Sequence, residues 1–341
     1  MAALVGSEWV FQITLNTTVF CGVLRMALDD AIAIDKLQVR YRGKAALDGF
    51  TLRVPRGSIY ALLGDNGAGK STTMKVLTGQ IPPDRGTATI LGLDSWKKSG
   101  ELRHRVGYVP DRPKLYDWMT VAEIGWFAAG FYRDGFSNRY DEWAERLRLD
   151  RKKKLKDLSK GGYARVGLAL ALAPDPEVLL LDEPTSGLDL ITRREFLAGL
   201  VEFAAEGRTV LISSHSIAEL ERTASHAAFV KDGKVALAAP LDSVRTRFRR
   251  IGFRYEGLPP DPAALGIVHE TNRSGRSVQY LIQDPDLGLL DAVREMPGIT
   301  DFDDRPIGLE EIYAALMGRP EALDTPPVVA TEELEEEGVR G

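Results

Sequence analysis

Short apolar runs bounded by glycine-rich turns alternate along the first two thirds of the chain with segments of helical periodicity. Residues 59–63, 178–181 and 209–212 are apolar runs whose length and turn-rich flanks are typical of buried strands. Residues 121–172 instead carry apolar and aromatic side chains at i, i+3 and i+4 spacings, which predicts helices. Glycines are expected to interrupt these helices at Gly130, Gly135 and Gly161–Gly162. The pattern therefore predicts an α/β protein in which a helical insert separates two buried strands.

Shorter patterns predict further elements around these runs. Two strands are expected within residues 31–54, joined at residues 42–44, and a hairpin is expected around Asp232 and Gly233. Other strands are predicted at residues 87–91, 106–110, 227–230 and 234–238, and helices at residues 70–78, 94–105 and 192–205.

The composition shifts after Pro240, which predicts a small C-terminal α/β module over residues 241–318. The stretches that suggest it are residues 253–258, 277–282 and 289–295, and a short helix at residues 309–317 is expected to close it. Residues 319–341 are acidic and contain little to bury, so disorder is predicted there. The main domain is expected to span residues 31–240, with its helical insert at about residues 112–173.

Composition limits the compartment and the class of partner. The 341 residues carry a net charge of −5, which argues against a general nucleic-acid coat, and the single Cys21 excludes an internal disulfide. Residues 2–24 are the most apolar stretch, but Glu8 interrupts it and no basic side chain precedes Arg25, so neither a membrane span nor a signal peptide is expected. Residues 1–30 form an uncertain extension, because Met26 is an alternative start.

Residues 58–78 carry the most specific chemical signal. Gly64 to Ser71 match G-x-x-x-x-G-K-[ST] between a predicted strand and a predicted helix. Glycines let backbone N–H groups approach an anion, and the helix N-terminus adds a positive dipole. Lys70 is expected to reach the β- and γ-phosphates of a nucleotide, and Ser71 to offer its hydroxyl to Mg²⁺. The expected binding residues are Gly64, Asp65, Asn66, Gly67, Ala68, Gly69, Lys70, Ser71 and Thr72.

Two acids follow the apolar run at residues 178–181. Asp182 is placed at the carboxyl end of a buried strand, where ligands bind in open α/β sheets, and is expected to hold Mg²⁺ opposite Ser71. Glu183 comes next and is free to polarise an attacking water as a general base. Alone, the pair could simply begin a surface turn before Pro184, but beside a phosphate loop the catalytic interpretation is favoured.

Together with further motifs, these residues make the chain resemble the ATP-binding cassette (ABC) ATPases. Seven motifs occur in that family's order over about residues 34–234. Tyr41 is similar to the aromatic that stacks on adenine, Gly64 to Ser71 to Walker A, and residues 109–111 to the Q-loop. Residues 158–162 are similar to the LSGGQ signature, and residues 179–183 to Walker B with the catalytic glutamate. Residues 186–189, which end at Asp189, are similar to the D-loop, and His215 is similar to the switch histidine.

The resemblance implies a P-loop core with a mostly parallel sheet, an antiparallel β subdomain and a helical subdomain. It implies that Glu183, His215 and Lys70 act in hydrolysis and that ATP and Mg²⁺ are bound. It also implies that two cassettes pair head to tail, as a homodimer or heterodimer, so that the signature completes the partner's site in trans. The signature residues expected to act in this way are Ser159, Gly161 and Gly162, with Asp189 also near nucleotide.

Two motifs depart from the family pattern, the Q-loop at Asp111 and the signature at Lys160 and at Tyr163, where glutamine is usual. Asp111 replaces the usual glutamine, and its expected contact with Mg²⁺ runs through water. Lys160 replaces a signature glycine and either pairs with phosphate or lies on a solvated face. Similar variants are familiar in ABC-2 exporter cassettes, so loss of function is not inferred, and the C-terminal module also resembles that subgroup.

The function expected is that of a peripheral ATPase subunit at the cytoplasmic face of the membrane. It would drive transport, most simply export, through a separate permease subunit docked near residues 111–131, with no nucleic-acid partner. Three alternatives stay open: a soluble cassette of DNA repair or translation, an importer cassette and a degenerate regulatory cassette. Trp118 and Trp126 are assigned either to a core or to the docking surface, and the basic run at residues 151–156 either to a solvated face or to acidic lipids.

Overall fold

The structure is a computed structural model that describes residues 30–132 and 135–318. The predicted N-terminal extension up to residue 29, the alternative start at Met26, and the predicted disordered tail from residue 319 lie outside these residues.

The described residues form strands and helices in the following order. The strands are β1 (Asp30–Tyr41), β2 (Lys44–Pro55), β3 (Ile59–Gly64), β4 (Arg85–Ile90), β5 (Leu93–Asp94), β6 (Val106–Val109), β7 (Val178–Asp182), β8 (Thr209–Ser214), β9 (His226–Lys231), β10 (Lys234–Pro240), β11 (Phe248–Tyr255), β12 (Ile267–Ser274), β13 (Ser277–Gln283) and β14 (Ile299–Pro306). The helices are α1 (Lys70–Leu77), α2 (Ser99–Leu102), α3 (Val121–Ala129), α4 (Phe136–Arg146), α5 (Lys160–Leu172), α6 (Leu190–Ala205), α7 (Ile217–Leu220), α8 (Leu241–Thr246), α9 (Leu287–Arg294) and α10 (Leu309–Met317).

The central sheet has six strands in the order β10-β9-β3-β8-β7-β6. Strands β3, β6, β7, β8 and β9 run parallel, and β10 closes one edge as the antiparallel half of the predicted hairpin. Every residue of β3, β7 and β8 is buried, which is why these strands are continuous apolar runs and not alternating patterns. Their carboxyl ends meet along one edge of the sheet, and this edge carries the site.

A second sheet, in the order β2-β1-β4-β5, is antiparallel throughout. Its apolar side chains, including Ile34 and Leu52, share a core with Leu62 and Leu180 of the central sheet. This packing fixes the β1–β2 hairpin next to the loop that follows β3.

Helices α3, α4 and α5 form the insert between β6 and β7, around a core that includes Val121, Phe136 and Tyr140. Thr120 starts α3 with a capping box, because its hydroxyl accepts the Glu123 N–H and the Glu123 carboxylate accepts the Thr120 N–H.

Two predictions about helices are wrong. The helix predicted at residues 94–105 covers only α2, because Asp94 caps a turn by accepting the N–H groups of Trp96 and Lys97.

The second correction concerns the glycine pair at residues 161–162, which does not interrupt the helical region. Both glycines lie in the first turn of α5, because Ser159 caps this helix by accepting the Gly162 N–H at 3.1 Å. The interruption lies instead between α4 and Ser159, where a 3₁₀ turn covers Leu155–Asp157.

The C-terminal part contributes a third sheet, in the order β12-β13-β11-β14, with α9 packed on it. Strands β12 and β14 are its edges and carry mostly polar or half-exposed residues, so the sequence pattern did not predict them. Helix α10 follows β14 and contacts both β12 of this sheet and β9 of the central sheet. Its Leu309 and Ile312 are buried in the same core as Leu63 and Phe229 of the central sheet.

Candidate functional site

The loop between β3 and α1 lies close against the backbone of neighbouring strands. Gly69 adopts φ 114°, and a Cβ placed there would lie 2.7 Å from Leu47 Cδ2 and 2.9 Å from the Ala46 oxygen. A Cβ on Gly64 would lie 2.5 Å from the Val230 oxygen. Both positions therefore require glycine, one for its backbone angle and both for the close approach of neighbouring strands. The Ala68 N–H donates to the Asp65 oxygen at 3.1 Å and closes the turn.

Lys70, the first residue of α1, directs its ammonium back into this loop. The side chain is only 5% exposed, and Nζ donates to the Gly64 oxygen at 2.5 Å and to the Asp65 oxygen at 3.3 Å. The same Nζ lies 3.1 Å from Glu183 Oε1. The Glu183 oxygen takes no hydrogen bond there, so the two groups meet as an ion pair. One buried cation thus joins the phosphate loop to the strand that ends in Asp182.

A buried serine on the neighbouring strand organises the two acids. Ser213, near the end of β8, is fully buried, and its hydroxyl donates to Asp182 Oδ1 at 2.7 Å. The same hydroxyl accepts the Glu183 N–H at 2.9 Å. The register explains this contact, because Asp182 lies directly opposite Ser213 in the parallel β7–β8 pair. The sequence analysis did not assign Ser213 a role, although a polar residue that closes an apolar strand was a usable signal.

Glu183 adopts a backbone conformation that is unusual for a residue with a side chain. Its φ is 49°, in the left-handed region, which costs on the order of 1–3 kcal/mol. The conformation turns the chain sharply at the end of β7, so that Glu183 Oε2 lies 2.8 Å from His215 Nδ1 while Oε1 faces Lys70. Glu183 therefore contacts both Lys70 and His215, the other two predicted catalytic residues, and His215 is the most exposed of the three.

A second polar network fixes the turns that follow these strands. Glu219 on α7 accepts the Thr185 hydroxyl at 2.7 Å and pairs with Arg193 of α6 at 2.5 Å. Asp189 caps α6 by accepting the Ile191 and Thr192 N–H groups and the Thr192 hydroxyl. The Thr192 hydrogen bonds hold the pKa of Asp189 below its usual range. The D-loop segment is thereby tied both to the helix that follows it and to the segment carrying His215.

The oxygen donors present suit Mg²⁺. Ser71 is at the start of α1, directly after the phosphate loop. Asp182 is at the carboxyl end of β7, which is separated from β3 by β8 alone. Within residues 30–132 and 135–318, no group of three or more His, Cys, Asp or Glu side chains is placed to hold a metal ion. The two donors Ser71 and Asp182 fit a Mg²⁺ ion that keeps several waters and takes its other ligands from nucleotide phosphates. Asp111 follows β6, and its Oδ2 lies 3.7 Å from Nε of the neighbouring Arg112.

The remaining predicted contacts lie around this centre. The β1–β2 hairpin brings Ala46 and Leu47 against Gly69, and Tyr41, 46% exposed, lies at the tip of that hairpin. Ser159 and Gly161 lie within the helical insert, at the start of its third helix, α5. There Lys160 extends over Gly187 of the D-loop segment, since a Cβ on Gly187 would lie 2.2 Å from Lys160 Nζ.

A strand, a glycine loop and a helix with a buried lysine, placed beside an Asp-Glu pair at the carboxyl edge of a parallel sheet, define a P-loop nucleotide hydrolase. A family model described as ABC transporter matches residues 47–186, and a second model, described as an AAA domain, matches residues 162–221. The Nod factor export ATP-binding protein I of Burkholderia orbicola (strain AU 1054) is 34% identical over 294 residues, which cover 83% of this chain and 95% of that protein. The chain belongs to the ABC transporter family as an ATP-binding, ATP-hydrolysing subunit.

Two further comparisons agree. The bacitracin transport ATP-binding protein BcrA of Bacillus licheniformis is 35% identical over 213 residues, covering 62% of this chain and 70% of that protein. A solved structure described as an ATP-binding subunit of an ABC transporter is 30% identical, with a TM-score of 0.59, and covers 63% of this chain and 92% of that one. The family, the fold class and the general function predicted from the sequence are thereby confirmed.

Proposed function

We propose that this subunit drives export by a cycle in which Mg-ATP closes a pair of cassettes and hydrolysis reopens it. The contacts of Glu183 with Lys70 and with His215, beside the phosphate loop, are the observation that carries this proposal. They support a site in which a cation for phosphate, a carboxylate base and an imidazole act together.

The Lys70 ammonium is the group that changes partner in this proposal. Lys70 lies 3.1 Å from Glu183 Oε1, and the β- and γ-phosphates of ATP compete with that carboxylate for the same cation. Binding of the phosphates therefore releases Glu183 to accept a proton from the attacking water, while His215 stays near the γ-phosphate. Ser71 and Asp182 would hold Mg²⁺, with Asp111 contacting it through water, and the ion would neutralise charge on the phosphates.

The signature segment is proposed to act on the nucleotide of a second cassette. Ser159 and the first turn of α5 present a helix N-terminus on an exposed face, which suits a phosphate anion. A solved structure described as a dimeric bacterial ABC transporter cassette is 25% identical, with a TM-score of 0.58, and covers 62% of this chain. That likeness supports a head-to-tail dimer in which Ser159, Gly161 and Gly162 act in trans.

The direction of transport and the membrane partner are proposed from the relatives. Those relatives are named for Nod factor export and bacitracin transport, and this supports an export subunit over an importer cassette. No helix in the two described ranges is long and apolar enough to cross a bilayer. Trp118, Trp126 and Phe131 of the insert are 65%, 76% and 68% exposed, which supports a docking surface for a separate permease subunit at the cytoplasmic face of the membrane.

Light scattering after size exclusion on Glu183→Gln, with and without Mg-ATP, tests the dimer. The variant keeps the phosphate loop but lacks the proposed general base. We therefore expect an ATP-dependent dimer and a fall in ATP turnover of about 10²–10⁴-fold. Glu183→Gln combined with Lys70→Ala is the matched control and should stay monomeric. A monomer in every condition would contradict closure by this chain alone, and turnover within a few-fold of wild type would contradict the assignment of the base.

A further inference from the structure

The C-terminal helix α10 reaches the phosphate loop directly. The Tyr313 hydroxyl donates to Asp65 Oδ1 at 3.0 Å, across 248 positions of sequence. Asp65 is the first residue of the loop after Gly64, at a position where the phosphate-binding motif accepts any residue. The contact therefore adds to the nucleotide site a side chain from outside the strands and helices that form it.

Asp65 holds the loop in shape through its backbone. Its carbonyl oxygen accepts the Ala68 N–H at 3.1 Å and the Lys70 ammonium at 3.3 Å. A side chain anchored by Tyr313 restricts rotation about the Asp65 backbone and so fixes where that carbonyl points. The hydroxyl also helps to hold a carboxylate that would repel the phosphates if it turned toward them.

Helix α10 is itself held firmly enough to serve as an anchor. Its Leu309 and Ile312 are buried in the core of the central sheet, and the Tyr313 ring lies 6.3 Å from that of Phe229, centroid to centroid. Arg250 of β11, only 3% exposed, donates from Nε to Glu311 Oε1 at 2.6 Å and from Nη2 to Glu270 at 3.3 Å. A buried ion-pair network thus ties the C-terminal sheet to α10 two residues before Tyr313.

We infer that Tyr313 is a positioning residue through which the C-terminal module sets the affinity of the phosphate loop for nucleotide. Tyr313 is not a catalytic residue, because it touches the loop and not the reacting atoms. Loss of its hydroxyl leaves Lys70, Glu183 and Asp182 in place but removes one hydrogen bond from the Asp65 carboxylate. The effect falls on binding and therefore on Kd and KM for ATP, while kcat stays near that of wild type. This inference rests on the proposed ATP cycle.

The test compares Tyr313→Phe with Tyr280→Phe. Both remove one hydroxyl from the C-terminal part, but the Tyr280 hydroxyl donates to the Pro260 oxygen at 3.5 Å and does not reach the loop. Equilibrium titration with ATP and steady-state hydrolysis should show Kd and KM raised about three- to tenfold in Tyr313→Phe with kcat within twofold, because the hydrogen bond positions the loop and only part of its contribution reaches the binding step. Tyr280→Phe should match wild type.

A double-mutant cycle with Asp65→Ala shows whether the two residues act together. Tyr313→Phe should change Kd by less than twofold in the Asp65→Ala background, because its partner is already absent. Equal effects in both backgrounds, or no effect of Tyr313→Phe in the wild-type background, would overturn the inference. Wild-type protein that binds no ATP would instead contradict the proposed function, so the two failures are distinguishable.

Discussion

Replacement of Ser213 by alanine would remove the hydroxyl that links the two strands at the site. In the wild type this hydroxyl donates to Asp182 Oδ1 at 2.7 Å and accepts the Glu183 N–H at 2.9 Å. The variant leaves a buried carboxylate without this donor and a backbone N–H without its acceptor. It also removes the contact that helps to hold Glu183 at φ 49°.

The magnitude follows from these two hydrogen bonds. A hydrogen bond to a charged group contributes roughly 1.5–3 kcal/mol, and an unsatisfied buried N–H costs about 1–3 kcal/mol. Partial relaxation at the end of the strands offsets part of the sum, so we expect the free energy of unfolding to fall by about 2–4 kcal/mol. That corresponds to a Tm lowered by roughly 3–6 °C for a chain of this size. Displacement of the base by a fraction of an ångström should also lower ATP turnover by about 10–10²-fold.

The assays are thermal unfolding and steady-state ATP hydrolysis, with Ser214→Ala as the matched control. Ser214 is also buried, but its hydroxyl donates to the Ser216 oxygen and accepts the Ser216 N–H, away from both acids. The control should lose stability without the fall in turnover. Equal turnover in the two variants would refute the idea that Ser213 positions the acids.

Three further outcomes are expected. Lys70→Ala should abolish tight ATP binding in a fluorescent-nucleotide titration, and unchanged affinity would contradict the phosphate-loop assignment. Gly69→Ala should lower the free energy of unfolding by about 2 kcal/mol or more in denaturant melts, because φ 114° and the 2.7 Å contact with Leu47 exclude a Cβ; a neutral effect would contradict that geometry. Burial lowers the pKa of His226, so protonation destabilises the folded state, and the stability present above about pH 6.5 decreases as the pH falls. Thermal melts of His226→Gln should therefore show a smaller loss of Tm between about pH 7.5 and 5.5 than wild type, and an equal loss would contradict the assignment.

The elements that sequence predicted well are those in which local chemistry and burial agree. Strands β3, β7 and β8 are buried on both faces, so their apolar runs alone identified them. The glycine pair in α5 was misjudged because low helix propensity at residues 161–162 is overridden by the Ser159 cap. Edge strands β12 and β14 lack an apolar pattern because few of their side chains are buried. They form strands because they pair with β13 and β11, and the sequence does not show that pairing.

The site shows the same division. Lys70, Asp182 and Glu183 were predictable because their motifs combine residue type with a position at the end of a strand or the start of a helix. The roles of Ser213 and Tyr313 depend on which strands are neighbours and on where α10 packs, and no local pattern encodes either fact. Contacts between residues distant in sequence require the folded chain, which is why the supporting residues emerge only from the structure.

Lys70 cannot serve Glu183 and a nucleotide phosphate fully at the same time. While its ammonium faces Glu183 Oε1 at 3.1 Å, that carboxylate oxygen is occupied by the ion pair. In the proposed cycle, phosphates that draw the ammonium away leave this oxygen available to an attacking water. The loop backbone then determines how easily the lysine changes partner, because the Gly64 and Asp65 oxygens also accept from its ammonium. Since Asp65 contacts both Lys70 and Tyr313, we propose that α10 acts on that exchange.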